Sequence, residues 1–329
     1  MSSEVEKFIK GESKDSYKYF GAHTVNNGVC FRVYAPNAKQ IEVSINEQNY
    51  KMDKIDFRGV FETRIDDIKE FDTYRYDVLT QEDLWIRKND PYMIYHEIGK
   101  SAYIEKDQYI FNDEKWINKK VENEAFNACL ITEEFKMDDQ REFIEYLKKY
   151  HYNYLILRPY DEKYLYCVNE LFINESSLKN FIDNLHQSNI GVIFDFETDS
   201  FFDYAEGLND FDGSSIYNKK EAKYKDVNQI YFDDDKKAVQ SYLKSWVYYY
   251  LERFHGDGLF INDSNFNRGL ETELDNKIFI YKGNENNKGI ASDNYLMKII
   301  DNINKGIDYK LFISTSFENQ TYIIYDYDK

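Results

Sequence analysis

The chain has 329 residues, 42% of them hydrophobic, and a formal net charge of −18. That apolar content at this length excludes global disorder and allows two domains, or one large α/β domain with an appendage. The negative charge excludes a nucleic-acid-binding surface, which needs cations facing phosphates, and equally a face for an anionic membrane.

The first residues, Met1 to Lys7, have no signal-peptide character, and no apolar run is long enough to span a bilayer. Synthesis and residence in the cytoplasm are the expectation. Residues 16–90 then read as short strands: Val29 to Tyr34, Ile41 to Ile45, Gly59 to Ile65, Thr73 to Leu79 and Leu84 to Lys88. Ile41, Val43 and Ile45 alternate with Glu42, Ser44 and Asn46, the period of a half-buried strand. Strands at this spacing predict a small Ig-like antiparallel β-sandwich. Residues 91–124 mix charges and aromatics as an irregular connector.

From Ala125 onward, over residues 125–329, strands alternate with helices. Phe126 to Ile131, Leu155 to Leu157, Gly191 to Phe194, Asp257 to Ile261 and Lys310 to Ser314 are short apolar runs suited to buried parallel strands. Between them, one helix face carries Phe143, Ile144, Leu147 and Tyr150, and a second Leu178, Phe181, Ile182 and Leu185. Val239, Tyr242, Leu243, Trp246, Tyr250 and Phe254 make a longer stripe, and Leu296, Ile299, Ile300 and Ile303 a fourth. The pattern predicts a parallel (β/α) barrel of only five strands, an incomplete one.

Other constellations are weak. Cys30, Cys129 and Cys167 are odd in number and widely spaced, suggesting neither a disulfide framework nor a zinc site. The five histidines (His23, His96, His151, His186, His255) never stand at metal-ligand spacing, and no cofactor is expected. Asp233, Asp234 and Asp235 read as a solvated acidic turn ahead of a helix rather than a cation site. Gly283 to Gly289 lacks the pattern of a phosphate loop.

The motifs carry a family resemblance. Tyr19-Phe20-Gly21-Ala22-His23, then Gly28 to Ala38 (Gly-Val-Cys-Phe-Arg-Val-Tyr-Ala-Pro-Asn-Ala), resemble the opening of the carbohydrate-binding-module-like domain of 1,4-α-glucan (glycogen) branching enzymes. The likeness continues through Gly59-Val60-Phe61-Glu62, Tyr74-Arg75-Tyr76 and Asn89-Asp90-Pro91-Tyr92. It enters the α-amylase-type barrel through His186 to Asp195, then Gly207-Leu208, Phe211-Asp212-Gly213 and His255-Gly256-Asp257-Gly258-Leu259.

That resemblance implies a reaction run by three carboxyl groups at barrel strand ends: a nucleophile, a general acid/base and a third carboxylate. The nucleophile follows Asp-Gly-Leu-Arg-Val in the family. Here Asp257-Gly258-Leu259-Phe260-Ile261 is followed by Asn262, an amide that cannot ionise, and Phe260 stands where the family has arginine. Thr315, in Ile313-Ser314-Thr315-Ser316-Phe317, falls at the acid/base position, and Ser200 falls where a sugar-touching histidine belongs. The third carboxylate lies beyond the fifth strand in the family, past Lys329. Of the sugar-contacting set, Tyr166 and Asp195 survive, and Tyr50 stands near the place of a tryptophan in related modules. A slipped alignment would make Asp263 the nucleophile, with Glu197 and Asp199 nearby, but one residue of slip turns a strand side chain to the opposite face.

The expectation is therefore a degenerate, truncated relative without turnover. Two roles follow: a self-associating structural protein, for example of a spore-coat type, or an α-glucan-binding protein. The first draws on open edges at the first and fifth strands, on the β-prone tail Gln320 to Tyr327, and on 31 tyrosines, favoured in protein contacts. The tail either caps its own sheet or augments a neighbour.

Overall fold

The computed structural model describes residues 3–26, 28–104, 109–119, 126–131, 139–219, 224–226, 228–262, 264–274, 277–282 and 322–326. In chain order the elements begin with α1 (Ser3–Lys10), β1 (Gly21–Val25), β2 (Gly28–Tyr34), β3 (Gln40–Ile45), β4 (Gln48–Lys51), β5 (Asp53–Asp56), β6 (Val60–Asp66), β7 (Thr73–Leu79), β8 (Trp85–Lys88), β9 (His96–Glu97) and β10 (Lys100–Ala102). They continue with α2 (Glu114–Ile117), β11 (Phe126–Leu130), α3 (Gln140–Lys149), β12 (Tyr154–Leu157), α4 (Glu175–Gln187), β13 (Gly191–Phe196), β14 (Ser200–Phe202), β15 (Tyr224–Asp226) and β16 (Gln229–Tyr231). The last are α5 (Lys237–Arg253), β17 (Gly258–Asn262), α6 (Asn265–Glu273), β18 (Ile278–Lys282) and β19 (Tyr322–Asp326). Two compact units result: Met1–Gln108 with Tyr160–Glu170 and Thr198–Tyr249, and Tyr109–Pro159 with Leu171–Glu197 and Tyr250–Lys329.

The first unit holds two antiparallel sheets, β1-β2-β6-β5 and β4-β3-β7-β10-β9, with β8 also on β7. Alternation decides which side chains they bury. Ile41, Val43 and Ile45 of β3 and Tyr74, Tyr76 and Val78 of β7 are buried, while their chain neighbours are half exposed. Gly59 turns the chain at φ +107°, and a Cβ there would lie 2.2 Å from Pro36 Cα, so only glycine fits. The connector is more ordered than its composition suggests, since Lys100–Ala102 adds a strand to β7. The expected boundary at residue 90 is crossed again later in the chain. Residues 160–170 and 198–249 join this unit, bringing the small sheet β14-β16-β15 and most of α5. There Trp246 donates its indole N–H to the Leu165 carbonyl at 2.6 Å, and the Tyr242 hydroxyl donates to the Pro91 carbonyl at 3.0 Å. All three cysteines are buried, and none is joined in a disulfide.

The second unit is built on a six-stranded sheet in the order β18-β17-β13-β12-β11-β19, and every pair in it is parallel. Strand β13, Gly-Val-Ile-Phe-Asp-Phe, is apolar along almost its whole length because both its faces are covered. One face packs Ala128, Ile156, Ile193 and Ile280 into a fully buried cluster. The helices start where the sequence caps them. Asp139 accepts from the Arg141 and Glu142 amides at the head of α3, and Asn174 and Ser177 form a reciprocal capping box on α4. Phe143, Ile144 and Leu147 are buried as expected, but Tyr150 lies at the helix end and is exposed.

Two features of this sheet go beyond the expectation. Beside β17 lies Ile278–Lys282, a short Ile-Phe-Ile-Tyr-Lys run that periodicity did not mark as a strand. The run Lys310 to Ser314, the stripe Leu296 to Ile303, the loop Gly283 to Gly289, and both Asp263 and Thr315 lie outside the described residues. Nor is the edge of the first strand open. Tyr322–Asp326 pairs with Phe126–Leu130 along its full length, from Phe126↔Tyr322 to Leu130↔Asp326. Apolar content alone marked the tail as a strand; its partner depends on pairing across nearly two hundred residues. Among the described residues, no helix is long and apolar enough to cross a membrane.

Candidate functional site

Parallel register brings chemistry together at the C-terminal ends of the strands of the second unit. Asp195 of β13 lies beside Phe260 of β17, and Asn262 beside Lys282 of β18. Period-two alternation puts Asp195, Phe260, Asn262 and Lys282 on the same face as Ile193 and Ile280. The cluster therefore sits at the strand ends where parallel α/β barrels place their reactive groups.

Its contacts are mutual. The Lys282 ammonium donates to Glu197 Oε1 at 2.8 Å and forms an ion pair with Asp195 Oδ1. Asn262 donates its amide to Glu197 Oε2 at 3.3 Å, and Arg158 Nη2 lies 3.4 Å from Asp195 Oδ2. Lys282 Nζ also stands 5.2 Å from the centre of the Phe260 ring. Two carboxylates thus face two cations. The amide of Asn262 is neutral at any ordinary pH and is a far weaker nucleophile toward an anomeric carbon than a carboxylate.

The other sequence-predicted residues lie elsewhere. Ser200 belongs to the first unit, where its buried hydroxyl bonds Gln229 Oε1 at 3.1 Å and Asp199 Oδ1 at 3.2 Å. Tyr166, also in the first unit, is 1% exposed. Its ring is enclosed by Tyr92, Tyr249 and Tyr242, with centroids 5.1, 5.2 and 5.7 Å away, and its hydroxyl donates to Ser245 Oγ at 3.3 Å. It presents no ring face to a sugar in this structure. Tyr50 is half buried on β4 and pairs with Val43, so it lies on the core-facing side of its sheet.

Sequence reasoning missed three residues. Lys282 and Arg158 belong to no motif, and only tertiary register reveals them. Trp85 was legible as a tryptophan in an otherwise polar strand, Trp-Ile-Arg-Lys, and it is 51% exposed beside Leu84 at 62%.

A second polar cluster lies at the opposite ends of the same strands. His186 is buried, with Nδ1 2.7 Å from Asp113 Oδ2 and Nε2 3.1 Å from Asp257 Oδ2. His255 Nδ1 approaches the same Asp113 oxygen at 2.8 Å. Asp257 also accepts from the Trp116 indole at 2.9 Å and the Val192 amide at 2.7 Å. Both His186 nitrogens face carboxylate acceptors, an arrangement that favours the imidazolium. Burial opposes that charge, but hydrogen bonds and attraction from Asp257 and Asp113 outweigh it and raise the His186 pKa. The cluster is a closed structural network. Among the described residues, no group of histidine, cysteine and carboxylate side chains is arranged to hold a metal ion.

This fold, a β-sandwich with a parallel α/β sheet whose polar residues gather at the strand ends, is shared with solved structures. A pullulanase from Paenibacillus barengoltzii, in complex with maltohexaose and α-cyclodextrin, superposes with a TM-score of 0.66 at 14% identity, covering 86% of this chain and 55% of that one. The catalytic module of the glycogen-degrading pneumococcal virulence factor SpuA gives 0.66 at 15% identity over 90% and 55%. Residues 1–92 match the N-terminal domain family of the α-1,4-glucan branching enzyme GlgB. The 1,4-α-glucan branching enzyme GlgB 1 of Clostridium perfringens strain 13 is 29% identical over 95% of this chain and 53% of its own length. GlgB of Bacillus cereus strain B4264 is 30% identical over 77% and 46%. The chain is similar to the 1,4-α-glucan branching enzymes, and it spans about half the length of the curated relatives it matches.

Proposed function

We propose that this chain is a non-catalytic relative of the branching enzymes, its parallel α/β sheet kept without glycosyl transfer. One observation carries the reading: Asn262 ends β17 where the family resemblance expects the nucleophile, and its amide is tied to Glu197. Incubation with amylose followed by branch-point analysis tests it. No branch points above a buffer control are expected, and Asn262→Asp alone restores none, because a single carboxylate does not complete the set. Turnover that Asp263→Ala abolishes would overturn the reading.

Two roles compete for such a chain. Glucan binding without turnover is favoured by Trp85, whose exposed ring on β8 has the form of a stacking platform for a sugar face. Retardation in a glycogen-containing gel, lost in Trp85→Ala, would support it. Self-association, including a spore-coat-type layer, draws less from the fold than from composition. The tail covers β11, and many tyrosines, such as Tyr74, Tyr76, Tyr160, Tyr217 and Tyr242, are buried in the chain's own core. Assembly by strand pairing then falls to β18, the outer strand at the other side of the sheet among the described residues.

A further inference from the structure

We infer that Lys282 closes the C-terminal edge of the parallel sheet as a tethered counter-ion, holding the place between Asp195 and Glu197 that a ligand would need. The inference rests on the non-catalytic reading above and gives that site a present role: an ion cluster that stabilises the sheet and excludes sugar.

The geometry supplies each part of the argument. Asp195 and Glu197 project from the end of one strand with side chains only 14% and 25% exposed. Two partly buried like charges repel each other and favour protonation or an added cation. Lys282 brings that cation from within the chain. It is placed by register, since β18 pairs with β17 so that Lys282 lies beside Asn262. Its ammonium reaches both carboxylates, and the ring of Phe260 lies beneath it, at the position where the family resemblance expects an arginine. Ile156, Ile193 and Ile280 of the same sheet are fully buried in one apolar cluster. The remaining oxygen of each carboxylate is also engaged, by Arg158 and by Asn262.

A neutral sugar is a poor competitor here. Its hydroxyls would have to replace a full positive charge held by two anions, and charge-assisted bonds are roughly twice as strong as neutral ones. Removing the lysine alone should therefore leave two carboxylates facing Arg158 as their single cation, whereas removing the lysine together with one carboxylate should restore most of the balance.

The test is a thermal double-mutant cycle on the full chain with Lys282→Met, Glu197→Gln and the pair, joined to lysine acylation read by mass spectrometry on the unmodified protein. Lys282→Met should lower Tm by about 3 °C or more, and the double variant should regain at least half of that loss. Lys282 should acylate much more slowly than the exposed Lys51, and should become reactive in an Asp195→Asn, Glu197→Gln variant. Additive losses in the cycle, or acylation of Lys282 at the rate of Lys51, would overturn the inference. The acylation arm needs no variant and stands even if Lys282→Met fails to fold. Branching activity in the unmodified protein would defeat the non-catalytic reading while leaving the protection of Lys282 to be judged separately.

Discussion

Asp90 shows how folding changes a single side chain. It is buried between the Tyr74 and Tyr76 hydroxyls, 2.8 and 3.1 Å from its Oδ2, and accepts the Tyr92 amide on Oδ1. Burial pushes its carboxyl up to about 6, against the smaller opposing effect of those three hydrogen bonds. A raised pKa means that the folded state binds the proton more tightly than the unfolded chain. The stabilisation is complete below the unfolded value and lost as pH rises through about 6, a loss of about 3 kcal/mol. Asp90→Asn should flatten the unfolding free energy between pH 4 and 7. A variant that keeps the slope would place its origin elsewhere. His186 acts in the same direction at higher pH. Its raised pKa supplies stability that is full below about 6.5 and falls as pH rises through the folded-state value. Chemical denaturation of His186→Gln across pH 6 to 9 should show that decline abolished.

At the scale of elements, the tail strand β19 has the clearest consequence. It hydrogen-bonds along β11 and so removes an exposed strand edge, the kind of surface on which chains pair with one another. Deleting residues 321–329 should uncover Phe126–Leu130 and raise the light-scattering mass at high protein concentration. An unchanged mass would mean that β11 is no template for pairing. The helix caps are local by comparison. Asn174→Ala removes the acceptor of the Ser177 amide and should cost about 1 kcal/mol, measured by urea unfolding, with no effect on mass.

For the whole molecule, the net charge of −18 sets how copies meet. Like-charged chains repel at low salt, and the repulsion is screened over about 10 Å at 0.1 M ionic strength. If self-association is the role, the mass should grow with protein concentration and more steeply as salt is added. A strict monomer at every concentration and salt would turn the choice to glucan binding, with Trp85 as the residue to test first.

The sequence by itself determined much of this protein. Alternating residues in Ile41 to Ile45 and Thr73 to Leu79 specified sandwich strands, because a strand with one wet face must alternate. Continuous apolar runs at Leu155 to Leu157 and Gly191 to Phe194 specified buried parallel strands. Asn262 and Phe260 were legible as departures from a motif, since each is a change of chemistry at one position. What the tertiary structure decided was pairing and enclosure. That Ile278–Lys282 lies beside β17, that the tail covers β11, that Tyr166 is sealed among other rings and that Lys282 meets Asp195 and Glu197 all depend on contacts between residues far apart in the chain. Local periodicity fixes which side of an element is buried; it carries no record of what that side is buried against.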